Sequence, residues 1–289
     1  MRILVISLLF LFCACQSPHE REIKDWRADR LAELKGPYGW PSVVGLFWLR
    51  NTLSYFGSSD TNDFMIANAP SSFGHIEKTD TSLIQKAFKN KDVYVDGVIT
   101  HVAPLNTDMH PDGPTLSTFG SLQWYVLERG DRYYLRVKDT LSKTRQALHD
   151  IPYFPIDEAY RVEAKVLDNP HLSDTITYKN ILDQEISSPV AAYLSFTLMG
   201  QEYSLAALDN DEETYFIMIS DLTSGLTTYG GGRYLYPQKA DKEGRVILDF
   251  NKLINPPCVF TAHATCPFPP KQNHLPIAMN VGEKELHLY

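Results

Sequence analysis

The sequence predicts a mainly β protein: an antiparallel sandwich or barrel-like set of sheets preceded by one amphipathic helix. Three observations carry that expectation. About ten short apolar or alternating runs are bounded by Gly, Pro, Asn or Asp, the pattern of strands joined by turns. The chain holds 14 Phe and 16 Tyr among 289 residues, side chains that fit a pleated, half-buried surface. No strand–helix–strand alternation of the kind a parallel sheet needs is present, and no repeat of fixed period.

Residues 1–14 read as a lipoprotein signal peptide. Arg2 precedes an apolar run from Ile3 to Ala14 that only Ser7 interrupts. A membrane-spanning helix needs about 20 apolar residues, so the run is too short to be a stable span. Ala14 directly before Cys15 resembles a bacterial lipoprotein processing site, with Phe12 where leucine is usual. That match puts a lipid on Cys15 and makes the membrane a partner through the anchor. Gln16, Ser17 and Pro18 carry no acidic pair, so a periplasm-facing envelope position is expected. The net charge of −8 argues against a nucleic-acid partner, which calls for a basic face. An apolar fraction of 44% suffices for a core, and residues 15–289 are read as one β-rich domain.

Within that domain, residues 20–35 place Ile23, Trp26, Leu31 and Leu34 on one side of a helix that Gly36-Pro37 ends. Gly39 to Leu49 is short and apolar between breakers, a buried strand or a helical turn. Residues 51–91 are polar, with Gly57-Ser58-Ser59-Asp60 and Ser71-Ser72-Phe73-Gly74 as turns. Asp92 to Val102 alternates Val93, Val95 and Val98 with polar residues and reads as one strand with an irregularity at Gly97. Residues 103–118 carry Pro104, Pro111 and Pro114 and form a loop. His110 and Asp112 lie on it as solvated side chains, too few for a metal. Gln123 to Asp139 is a hairpin about Arg129-Gly130-Asp131, whose Gly-Asp turn explains the tripeptide without a cell-adhesion role. Ala159–Leu167 and Thr175–Ile181 are strands on either side of Asn169-Pro170. Ile186 to Leu208 is a hairpin about Gly200-Gln201, and Thr214 to Ser220 is a central strand buried on both faces.

The region 221–284 is the densest in unusual residues: three consecutive glycines before Arg233, two Pro-Pro pairs and two cysteines. Several pieces of the chain resemble, in order, a bacterial family of unknown function, DUF1684. They are Gly39 to Leu49, Tyr153-Phe154-Pro155-Ile156-Asp157, Asp221-Leu222-Thr223-Ser224-Gly225 and Gly232-Arg233-Tyr234-Leu235. Asp249-Phe250-Asn251 and Asn255-Pro256-Pro257-Cys258 through Cys266-Pro267 complete the set. The resemblance covers nearly all of the processed chain and implies no activity.

The candidate site residues come from the same region. Arg233 after three glycines offers a guanidinium fork beside exposed backbone N–H groups, a receptor for an anion, although a tight hairpin needs those glycines too. Asp221 ends a buried strand, as a rim carboxylate or an Asx-type turn. Asp249 and Asn251, in a strand, face the same side with Phe250 opposite, placed to bind a ligand or to brace the proline turn. His274 is a candidate general base with Glu283 as its partner; the alternative is a surface histidine and a strand-end glutamate. Cys258 and Cys266 form an even pair in an oxidising compartment, as a disulfide, as two free thiols, or as metal ligands with His263 and His274. No cofactor or metal is expected. The nucleophile elbow of serine hydrolases, the His-Glu-x-x-His of metalloproteases and the phosphate loop are all missing. The reading is a binding module for a small polar or anionic ligand at Arg233, Asp221, Asn251 and Asp249. An enzyme using carboxylate and histidine chemistry, hydrolase-like, competes at the same place, and a structural envelope protein is the third class.

Overall fold

The computed structural model describes residues 16–88, 91–167 and 174–288. The proposed signal peptide, Cys15 and Asn169-Pro170 lie outside the described residues. What is described is mainly antiparallel β-structure behind one N-terminal helix, as the sequence predicts.

The helix, α1, spans Pro18–Lys35. Ser17 caps it by accepting from the Glu20 backbone N–H, and proline sits at its first position, where no amide donor is needed. A short 3-10 turn, Trp40–Ser42, then leads into the strand Val43–Trp48, so both readings of Gly39 to Leu49 are realised in sequence.

Two sheets enclose the first core. Val43–Trp48, Arg132–Asp139, Leu122–Arg129, Ser117–Phe119, Tyr94–Val95 and Val98–Ile99 lie side by side in that order. The second sheet is ordered Phe64–Met65, Leu53–Gly57, Gly74–Lys78, Leu83–Ala87 and Val102–Pro104. Between them Trp124 meets Phe56 and Phe73 edge-on, with ring centroids 5.8 and 5.0 Å apart. Its indole N–H donates to Gln85 Oε1 at 2.6 Å, which satisfies the one polar group that burying a tryptophan strands. The stretch Asp92 to Val102 corrects the expectation of a single strand. Asp96 and Gly97 both take positive φ, 48° and 85°, and fold it into a tight hairpin. Asp-Gly is the two-residue turn pair that matches strand twist.

The second core belongs to a seven-stranded sheet. Its path runs Arg233–Leu235, Tyr215–Asp221, Gln201–Asp209, Ala192–Leu198, Arg161–Val166 and Arg245–Asp249, with His274–Leu275 pairing parallel to Tyr215–Asp221. Met199 and Gly200, at φ 52° and 79°, make the hairpin expected near Gly200-Gln201. Leu194, Phe196, Leu205, Ile217, Leu248 and Phe250 fill the core. The Tyr215–Asp221 strand is central, as its apolar run predicts, and it delivers Asp221 to the sheet's end. Among the described residues no helix is long and apolar enough to cross a membrane.

Candidate functional site

Arg233 opens its strand opposite Ile219, and the glycine before it has no substitute. Gly232 sits at φ 81°, and a Cβ there would lie 2.6 Å from the Ile219 carbonyl oxygen and 2.5 Å from Pro269 Cγ. The turn therefore drives the arginine inward, and its side chain is 1% exposed. Nη2 donates to Asp221 Oδ2 at 3.0 Å and to the Met279 carbonyl at 2.9 Å. Nη1 donates to the Val281 carbonyl and, at 3.1 Å, to that of Glu283. Asp221 Oδ1 accepts from the Thr223 N–H at 2.8 Å, the Thr223 hydroxyl at 2.6 Å and the Met279 N–H at 3.2 Å. This is a buried ion pair that holds the Met279, Val281 and Glu283 carbonyls and the Met279 N–H as well as Thr223, with Arg233 Nε unpartnered among the described residues. The expectation of an anion receptor at the sheet rim is corrected: the pair is a clamp that fastens the C-terminal segment over the core.

Asp249 and Asn251 are likewise turned inward. Asp249 ends its strand and caps the 3-10 turn Phe250–Lys252, so the two do not share a strand face. Asp249 Oδ1 accepts from the Asn251 backbone and side-chain N–H groups at 3.1 and 2.9 Å. Its Oδ2 meets His19 Nε2 at 2.6 Å. Asn251 exchanges hydrogen bonds with the backbone of Asp157 at 2.9 Å each way, so it braces the 153–157 segment rather than the proline turn.

His274 and Glu283 are not brought together. His274 is exposed and meets Ser220 Oγ at 3.1 Å. Glu283 is 0% exposed: Oε2 accepts the Asn255 N–H at 2.7 Å, and Oε1 accepts from the Tyr153 hydroxyl at 3.3 Å and Arg30 Nε at 3.4 Å. Burial raises its pKa above the ordinary carboxylate value, with Arg30 opposing. Burial, and the Glu283 charge after it, raises that of Tyr153. Cys258 and Cys266 face one another with Cα atoms 6.2 Å apart, a separation a disulfide spans. His263 is half-buried, which lowers its pKa.

The residues the sequence reading missed lie on α1. His19, Ile23, Arg27, Arg30 and Leu34 recur at helical spacing along one stripe, and this stripe faces the sheet. Arg27 donates to the Phe154 carbonyl at 3.1 Å and lies 4.2 Å from the centre of the Tyr153 ring. Arg30 reaches Glu283. The signal was legible: three basic residues share the period of the apolar ones. A search for apolar side chains alone counts them as solvated.

Beside Arg30 a cavity of about 510 Å³ opens between α1 and the C-terminal sheet. Trp26, Trp40 and Tyr236 supply aromatic wall, and Asp29, Arg30, Glu33, Lys252 and Asn255 supply polar lining. Asn255 is 0% exposed and its amide donates to the Lys284 carbonyl at 2.7 Å. Its Oδ1, however, meets no donor among the described residues. A larger cavity of about 780 Å³ lies by Ile66–Asn68 and Thr261–His263. There Asp139 accepts from Asn68 and the Leu141 N–H, Ser142 donates to the Pro41 carbonyl, and Thr261 donates to that of Val43. Its buried polar groups are engaged; those of the first are not all so.

Residues 146–284 match the family described as protein of unknown function (DUF1684), and the chain belongs to that family. The match takes in every motif quoted above from Tyr153 onward and leaves Gly39 to Leu49 outside, so it is narrower than the sequence reading implied. The chain is also similar to an uncharacterised protein of Haloarcula marismortui with a solution NMR structure. The two are 30% identical over 48% of this chain and 78% of that one, with a TM-score of 0.39. No curated protein matches the chain.

Proposed function

We propose that this chain is an envelope lipoprotein, anchored through a lipid on Cys15 and facing the periplasm, that binds a small polar ligand in the cavity beside α1. The observation that carries the ligand reading is Asn255, wholly buried at the cavity with an acceptor oxygen that no donor meets among the described residues. A ligand N–H or O–H would satisfy it. Trp26 and Trp40 favour a ring that can lie on an indole, and a cavity of this size accommodates a molecule of one or two rings. Arg30 pairs with Glu33 and Glu283, Lys252 pairs with Glu22, and Asp29 lines the same opening, so the charges there are balanced and suit a polar, uncharged substituent on that ring. The reading keeps the ligand class expected from sequence and moves the site away from Arg233.

Ligand-observed NMR with three probes, N-acetylglucosamine, glucuronate and adenosine, tests the site. At least one binds the wild type, and Trp26→Ala weakens it about tenfold through loss of ring contact. Binding of none, or undiminished binding to Trp26→Ala, contradicts the proposal. The anchor rests on the apolar run and on Ala14-Cys15. Mass spectrometry of the processed N-terminus then finds a diacylglyceryl cysteine at position 15; an unmodified start elsewhere removes the anchor.

A further inference from the structure

We infer that the N-terminal sheet carries an oxyanion site, for a carboxylate or phosphate group, centred on Arg136 and sharing only the Trp40 indole with the cavity beside α1. Arg136 stands in the middle of the Arg132–Asp139 strand, opposite Leu46 on one side and Tyr125 on the other. Leu135 and Val137 flank it and point into the core, so Arg136 projects from the other face. The residue is 4% exposed, yet Nε and Nη2 have no hydrogen-bond partner among the described residues. Those two nitrogens form the side-on edge of the guanidinium, the fork that meets two oxygens of one carboxylate or phosphate. No ion pair reaches it among the described residues. The carboxylate that acts on it through space, Asp108, is taken by Arg129 at 2.7 Å.

Lys138 lies two residues on, on the same face, and donates to the Tyr38 carbonyl at 2.8 Å. It too has no carboxylate partner among the described residues. Burial lowers the pKa of both groups, and Arg136 lowers that of Lys138 further. Two half-dehydrated cations side by side, in a chain whose net charge is −8, are a costly arrangement without an anion. Aromatic rings offset part of this. Trp40 lies 5.0 Å from the Arg136 guanidinium, and the Tyr125 ring lies 5.8 Å from the Lys138 ammonium. A ring supplies no lone pair in the guanidinium plane, and although the Tyr125 phenol also acts on the guanidinium, Nε and Nη2 keep no hydrogen-bond partner among the described residues. Trp40 stacks over the guanidinium, and an arriving anion would shift that indole, which makes its fluorescence the natural reporter.

Titration of the full processed protein with inorganic phosphate and with acetate, at fixed ionic strength set with chloride and followed by tryptophan fluorescence, tests the site. The wild type gives a saturable response to at least one anion; response to phosphate alone assigns a phosphate group, to acetate alone a carboxylate. Arg136→Lys keeps the charge without the fork and weakens binding about tenfold. Arg136→Met abolishes it, and Trp26→Ala, in the other cavity, retains it. Absence of a response beyond chloride, or a full response from Arg136→Lys, overturns the inference. Loss of the response in Trp26→Ala would place the anion in the other cavity and overturn it equally, while leaving the small-ligand reading standing.

Discussion

Arg233 shows how far a single side chain can depart from its sequence signature. Three glycines before an arginine read as an anion receptor, and they serve instead to turn the guanidinium into the core against Asp221 and the 279–283 backbone. Arg233→Met should therefore lower stability by about 3–5 kcal/mol in urea unfolding, because it leaves the Asp221 carboxylate buried and unpaired. A loss under about 1 kcal/mol, the scale of an exposed pair, would place the arginine at the surface. Glu283 makes a prediction of opposite character. Its folded pKa is raised above 4.5 by burial, so the native state holds the proton more tightly than the unfolded chain. The stabilisation this provides is complete below 4.5 and is lost as pH rises through the folded value. Arg30 and Tyr153, which bond it, and Arg27 and Arg233, which feel its charge, limit the rise without reversing it. Unfolding free energies across pH 4 to 8 should thus fall for the wild type relative to Glu283→Gln. A constant gap between the two would mean that the carboxylate titrates normally.

At the scale of elements, helix α1 is both the best and the worst predicted piece. Its C-terminal bound, its Gly36 stop and its apolar residues Ile23 and Leu34 were legible, because helical period and breakers are local properties; its start lies two residues earlier than the period indicates, at Pro18 behind the Ser17 cap. Its docking was not, because Arg27 and Arg30 become buried only when Tyr153, Phe154 and Glu283, more than a hundred residues away, arrive beside them. The same separation hid the cavity: Trp26 and Asn255 carry no shared motif. Asp96-Gly97 differs, since a turn pair and an alternating strand pattern overlap there and the turn wins. The segment Pro257–Cys266 is stiffened by its paired cysteines, which we expect to be oxidised in the native protein. Closing so short a loop contributes about 2–3 kcal/mol on the chain-entropy model. Thiol titration of the unreduced, unfolded protein should find neither Cys258 nor Cys266 reactive, and replacing both with alanine should cost that amount. Two reactive thiols would refute the bond.

Over the whole molecule, the aromatic and alternating runs specified β-structure, and hairpins at Gly130 and Gly200 fell where turn residues put them. The division into two cores did not show in the sequence. Each strand run looks alike, and only pairing partners tell which core it fills. The family match stays within the second of these, together with the clamp at Arg233 and most of the wall that α1 closes into a cavity. The dense C-terminal stretch thus divides into two parts: a buried Arg233–Asp221 clamp that holds the fold, and one wall of the cavity beside α1 for which we propose a ligand. The most direct test is the affinity of the tightest binder among N-acetylglucosamine, glucuronate and adenosine for three proteins. The account predicts that Asn255→Ala weakens binding about tenfold or more while His274→Ala leaves it unchanged. Binding that survives Asn255→Ala and is lost with His274→Ala would contradict it.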